Sequence, residues 1–110
     1  GGITSDVIVY SAVISACEQW ELSLQLLVEM ESRGLELDEV VFNALISSCE
    51  KSQQWTVALL LLTDMVLAPR RLQPNAITYS AAISACEKGQ RWEWAVQLLS
   101  DARRKSVKLS

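Results

Sequence analysis

The chain has 110 residues, half of them apolar and 21% charged, so it can bury a core and lacks the polar, highly charged balance of a disordered segment. It has no histidine, and its three cysteines, Cys17, Cys49 and Cys86, form no CxxC pair, which removes the usual zinc ligand sets and speaks against a disulfide framework. The net charge of −3 hides an asymmetry of −8 over residues 1–68 and +5 over residues 69–110, so only the second part suits a polyanion.

No apolar run approaches the ~18 residues of a spanning helix. The chain opens without Met or a targeting pattern and is expected to be a fragment. The first predicted helix follows Asp6, an N-cap type of residue. Its phrase "YSAVISACE" places Tyr10, Val13, Ile14 and Cys17 at i, i+3, i+4 and i+7, one apolar face. A second helix carries Leu22, Leu26, Leu27 and Met30, and Gly34 after Arg33 reads as its terminator. Asp38 caps the third, "FNALISSCE", with Phe42, Leu45, Ile46 and Cys49 on the same face. The fourth carries Val57, Leu61, Leu62 and Met65 and leads into "VLAPRRLQPN". Asn75 caps the fifth, "YSAAISACE", with Tyr79, Ala82, Ile83 and Cys86. The sixth holds Leu98 and Leu99.

These elements repeat. Tyr10, Phe42 and Tyr79 align, as do the three cysteines, Trp20, Trp55 and Trp92, and the leucine pairs. The units are 7–38, 39–75 and 76–110, with residues 1–6 as the tail of a preceding unit, since "GITSD" matches "GLELD". The first unit lacks three residues between its halves and the second carries two extra before Asn75. Both changes are expected in loops. Each unit is a helix–turn–helix that cannot bury its apolar face alone, so the units must stack. The expected fold is all-α, an α-solenoid of about six helices. The cysteines and tryptophans are expected to pack, the former as small core residues, and Glu29 and Glu31 to lie on a solvated face. Both end units should expose apolar surface, which predicts a marginal or self-associating fragment.

A second stripe runs beside the core face. Ile8, Ser11 and Ser15 are spaced i, i+3 and i+7, and Val40, Asn43, Ser47 and Ile77, Ser80, Ser84 repeat the spacing. A polar stripe with one apolar member per unit can pair with base edges and clamp base planes, or be ordinary solvated surface.

Two families of paired-helix repeats compete. The W-x₂-L-G-x₂-Y signature of tetratricopeptide repeats is absent. "NAITYSAAISACEKGQRWEWAVQLL" resembles the pentatricopeptide repeat pattern V-x-T-Y-N-x-L-I-x-x-x-x-K-x-G…A-x-x-L-x-x-x-M, and the resemblance extends over all three units. It implies binding of single-stranded RNA, one base per repeat. The fifth residues, Ser11, Asn43 and Ser80, and the last residues, Asp38, Asn75 and Ser110, would contact base edges. The second residues, Ile8, Val40 and Ile77, would pack on base faces. Lys51 and Lys88 would reach phosphate, while in the first unit that position falls at Gln19, within the deletion. Glu18, Glu50 and Glu87 adjoin these positions and would oppose RNA.

The resemblance further implies a base order of 5′-G-C-A-3′ and a mitochondrial or chloroplast protein. No cofactor, membrane or small-molecule substrate is implied, and no nuclease or deaminase signature is present. The competing function is a protein-interaction solenoid that takes a peptide or partner helix in its groove.

Overall fold

A computed structural model describes residues 5–17, 19–67 and 70–109. Six α-helices follow one another: α1 Ser5–Ala16, α2 Trp20–Ser32, α3 Glu39–Lys51, α4 Trp55–Val66, α5 Ala76–Lys88 and α6 Trp92–Arg104. The fold is an all-α array of helix–turn–helix hairpins, with no strand among the described residues.

Local chemistry sets the helix ends. Asp38 starts α3, its carboxylate accepting the Val41 N–H at 3.1 Å. Asn75 starts α5 through a reciprocal capping box with Thr78, which satisfies two amides that a helix start leaves orphaned. Asp6 does not cap α1. That helix begins at Ser5, so Asp6 lies in its first turn, where a carboxylate favours the positive end of the helix, 3.6 Å from Arg33.

Four helices share one C-terminal device. At α2, Gly34 (φ 74°) donates its N–H to Glu31 and Leu35 donates to Met30, both at 3.0 Å. This paired bonding with a left-handed residue closes the last turn. The same pair of bonds ends α3, α5 and α6, with Gln53, Gln90 and Ser106 in the left-handed position, each at φ 59°. Helix α4 ends differently, yet Leu72 donates to Met65 at 2.7 Å, as Leu35 does to Met30. The second unit thus closes the same bond across seven residues rather than five.

The three-residue deletion in the first unit is not in a loop. Three residues join the helices of every hairpin, and α1 ends at Ala16 whereas α3 and α5 run on through Lys51 and Lys88. The deletion removes the last turn of α1. An alignment on the cysteines cannot distinguish a shortened helix from a shortened loop, because Cys17 then lies just past the helix end. It is accordingly half-buried, while Cys49 and Cys86 are buried. Burial pushes the Cys49 thiol up to about 12, which suits an inert core residue.

The first helices form one layer, α1 on α3 on α5. Each of α2 and α4 packs between its own first helix and the next, against α3 and α5 respectively. Helix α3 is therefore the centre of the array. Val41, Phe42, Leu45 and Ile46 are fully buried on it. At the same positions of α1, Val9 and Val13 are exposed, so Val13 is not a core residue. The face that in α3 and α5 meets the preceding hairpin has no described element against it in α1. Leu22 is likewise exposed and Leu26 only half-buried, although the equivalents Leu61 and Leu98 are buried. Trp20 and Trp55 pack on the core, but Trp92 is exposed.

The acidic pair on α2 is exposed but engaged. The Tyr10 hydroxyl donates to Glu29. Arg70, in the loop after α4, bonds Glu31 at 2.7 Å and Asp64 at 3.1 Å. Its guanidinium lies 5.2 Å from the Phe42 ring centroid. It thereby ties the second hairpin to the first.

Candidate nucleic-acid interface

The face of the first-helix layer turned away from α2, α4 and α6 carries the second stripe. Ile8, Val40 and Ile77 are 61%, 62% and 61% exposed, an unusual place for three β-branched apolar side chains at equivalent positions. Two overlapping depressions meet at Ile77, and Val40 borders one of them. One, of about 480 Å³, includes Ser15, Val40, Asn43, Ser47, Asn75 and Ile77 in its lining. The other, of about 540 Å³, includes Ser47, Glu50, Ile77, Ser80 and Ser84. Both are lined by first helices and the Asn75 cap alone, so each bridges consecutive hairpins.

The candidate base-edge pairs are three. Asn43 and Asn75 do meet: Asn43 Nδ2 donates to Asn75 Oδ1 at 3.4 Å. Helix α3 brings Asn43 to the start of α5, where the cap holds Asn75. Asp38 is half-buried as the cap of α3, and Ser11 on α1 is mostly covered. Ser80 is open to solvent on α5. Ser110 lies outside the described residues, as does Glu18.

The two candidate phosphate ligands are already engaged across a junction between hairpins. Lys51 donates to the Ser15 carbonyl at 3.3 Å, one of the oxygens that the shortened α1 leaves without a helical partner. Lys88 pairs with Glu50 at 2.9 Å, and Ser84 donates to the same carboxylate oxygen at 3.0 Å. Both lysines also sit in the last turn of a helix, where a cation offsets the negative end. Glu50 thus neutralises Lys88 rather than standing bare in the groove. Gln19 is exposed at the start of α2, and Glu87 is exposed beside Lys88.

Two residues of this face escaped sequence reasoning. Thr78, fully buried, donates its hydroxyl to Asn43 Oδ1. The spacing of Asn75 and Thr78 in "NAIT" was the readable signal, since it is that of a capping box. Glu50 as a partner of Lys88 had no local signal, because the two are 38 residues apart.

The sequence profile of the PPR repeat family matches residues 37–88, and the profile of the PPR repeat matches residues 77–107. Together they span more than half of the chain and both describe the hairpins seen here. The chain belongs to the PPR repeat family. No curated protein sequence matches it. The PPR hairpins serve as a non-catalytic scaffold. Among the described residues no group of His, Cys, Asp and Glu could hold a metal ion, and no helix is long and apolar enough to cross a membrane.

Proposed function

We propose that this PPR segment binds single-stranded RNA, one base per unit, with units 7–38, 39–75 and 76–110. The observation that carries the reading is the recurrence, on one open face, of an exposed apolar side chain at Ile8, Val40 and Ile77, beside polar groups that are accessible at Asn43 and Ser80. Aliphatic side chains exposed at one register can sandwich bases, and the neighbouring amides and hydroxyls can read their edges. Ser11 with Asp38 reads G, Asn43 with Asn75 reads C, and Ser80 with Ser110 reads A. Ser11 is mostly covered, so Asp38 carries most of the readout at the first base. Lys51 and Lys88 exchange their present partners for phosphate. The parent protein acts in organellar RNA processing, stability, editing or translation, in mitochondria or chloroplasts.

The test is the salt dependence of binding to a single-stranded RNA that contains GCA. Two lysine–phosphate contacts predict a slope of about −1.4 in log K against log salt, at ~0.7 per contact. Replacing both Lys51 and Lys88 by Gln should flatten it. A chain that ignores RNA, or binds it with no salt slope, contradicts the proposal. Capture of a peptide on the same face would favour the protein-interaction reading.

A further inference from the structure

The second helices lie on the side opposite the candidate RNA face, and the space between them changes chemistry from one junction to the next. At the first junction the chain fills this space itself. Arg70 bonds Glu31 of α2 and Asp64 of α4 and lies over the Phe42 ring of α3. At the second junction the walls are α4 and α6, which both pack on α5 but not on each other. Between them runs a groove of about 480 Å³, with Trp55, Leu62 and Val66 of α4, Tyr79 of α5, and Trp94 and Leu98 of α6 in its lining. Small-molecule sites are mostly apolar hollows of about 300–1,000 Å³ with a few placed polar groups. Aligned on the leucine pairs and aromatics, Tyr79 stands where Phe42 stands and Asp101 where Asp64 stands, but Val66 stands where Glu31 stands. A second arginine would thus find one carboxylate instead of two, and Asp101 is already paired with Arg104 of its own helix. The loop after α6 is also the shorter one: Val107 bonds Ala102, five residues back, whereas Leu72 bonds Met65, seven back. The chain therefore leaves this groove open.

The groove has an apolar end and a polar end. Trp55 and Trp94 lie in the first turns of α4 and α6, and Val66 and Lys105 lie about 16 Å further along those helices, at 1.5 Å per residue. Tyr79 belongs to the polar end, because Tyr10, its equivalent, meets Glu29 and Arg33 at the end of α2. A buried tyrosine hydroxyl usually finds a partner. Tyr79 is 2% exposed, yet its hydroxyl has none among the described residues. No buried polar side-chain atom among them is sealed off without a partner, so this hydroxyl opens into the groove that Tyr79 lines. Lys105 lines the same end, and an adjoining depression that shares Val66 and Lys105 adds Arg71. Neither cation has a carboxylate within ion-pair reach among the described residues.

We propose that this groove binds an amphipathic carboxylate, a small molecule with an unbranched apolar tail. The tail lies between α4 and α6 towards Trp55 and Trp94, where leaving water stabilises it. The carboxylate sits at the other end, held by the Tyr79 hydroxyl, Lys105 and Arg71. A carboxylate only accepts hydrogen bonds, which suits one hydroxyl donor and two cations. Because the groove and the candidate RNA face lie on opposite sides of the first-helix layer, the two ligands do not compete for side chains.

The test is calorimetric titration of this chain with dodecanoate, kept below its micelle concentration, and with dodecyltrimethylammonium, which has the same tail and the opposite charge. Dodecanoate should bind one to one and about tenfold or more tightly than the cation, as charge-assisted hydrogen bonds predict. Tyr79→Phe removes the hydroxyl alone and should weaken dodecanoate about fivefold, the ratio of one ordinary hydrogen bond. It should leave the cation unaffected. Phe42 at the equivalent position shows that the fold accepts phenylalanine there. Replacing Arg71 and Lys105 together by Gln should bring the two amphiphiles to equal affinity. Both side chains are exposed, so this variant decides the matter even if Tyr79→Phe fails to fold. No binding of dodecanoate overturns the proposal. So does equal binding of both amphiphiles to the wild-type chain, which marks a merely apolar surface, and so does a preference for dodecanoate that survives the loss of both cations.

Discussion

Replacing Ile46 by Ala should lower the unfolding free energy by about 2–5 kcal/mol, the range for emptying a buried aliphatic site. Ile46 is fully buried on α3, and α3 packs against α1, α2, α4 and α5. Helix α3 is held by four other helices, so little collapse is available to fill a cavity on it. Its neighbour Ser47 lines both depressions of the open face, and Ser47→Ala should change stability by less than about 0.5 kcal/mol. Urea denaturation of the two variants checks the face assignment. The larger loss appearing at Ser47 would reverse it. Leu26→Ala should cost less than Ile46→Ala, because Leu26 is only half-buried.

The second large effect is steric. A Cβ added at Gly89 would lie 2.5 Å from Cδ1 and 3.0 Å from Cγ of Trp55. The backbone there is ordinary, with φ −83°, so conformational freedom is not the reason for glycine. The reason is close approach: the turn between α5 and α6 rests on the indole of the preceding hairpin, and the Arg91 guanidinium lies 5.0 Å from its centroid. The clashing atoms sit near the root of a rigid ring and cannot swing aside without moving α4. Gly89→Ala should therefore cost about 1–3 kcal/mol, as overpacking does. The adjacent Gln90 is the residue in the left-handed conformation, so Gln90→Gly should be neutral or stabilising by up to about 1 kcal/mol. An unchanged denaturation midpoint for Gly89→Ala would show that the turn does not bear on Trp55.

The hairpin array was legible because its signals are local and recur. Tyr10, Phe42 and Tyr79 share a period, and Asp38, Asn75 and Gly34 carry their capping chemistry in their own side chains or lack of one. What escaped depends on partners far along the chain. Val13 has the same sequence neighbours as Leu45, yet it is exposed because no described hairpin lies against α1. Gln53 and Gln90 close helices in a conformation that their type does not advertise, since the backbone bonds of the turn outweigh a cost of about 1–2 kcal/mol. On the open face, the spacing of Ile8, Val40 and Ile77 could be counted from the sequence. The meeting of Asn43 with Asn75, and the pairing of Lys88 with Glu50, required α3 and α5 to be set side by side.

The account rests on the middle unit choosing its base through Asn43 and Asn75. Asn75→Asp isolates that claim. One carboxylate oxygen can still accept the Thr78 N–H, so α5 keeps its cap, and the other presents an acceptor where the amide presented donors. With the three units placed inside a longer PPR array, so that the flanking bases fix the register, the preference at the middle base should move from C towards U by about 1 kcal/mol, the worth of one hydrogen bond. The preferences at the flanking bases should stay as they were. An array that folds, binds its RNA and keeps the same preference for C at that base after Asn75→Asp would contradict the account.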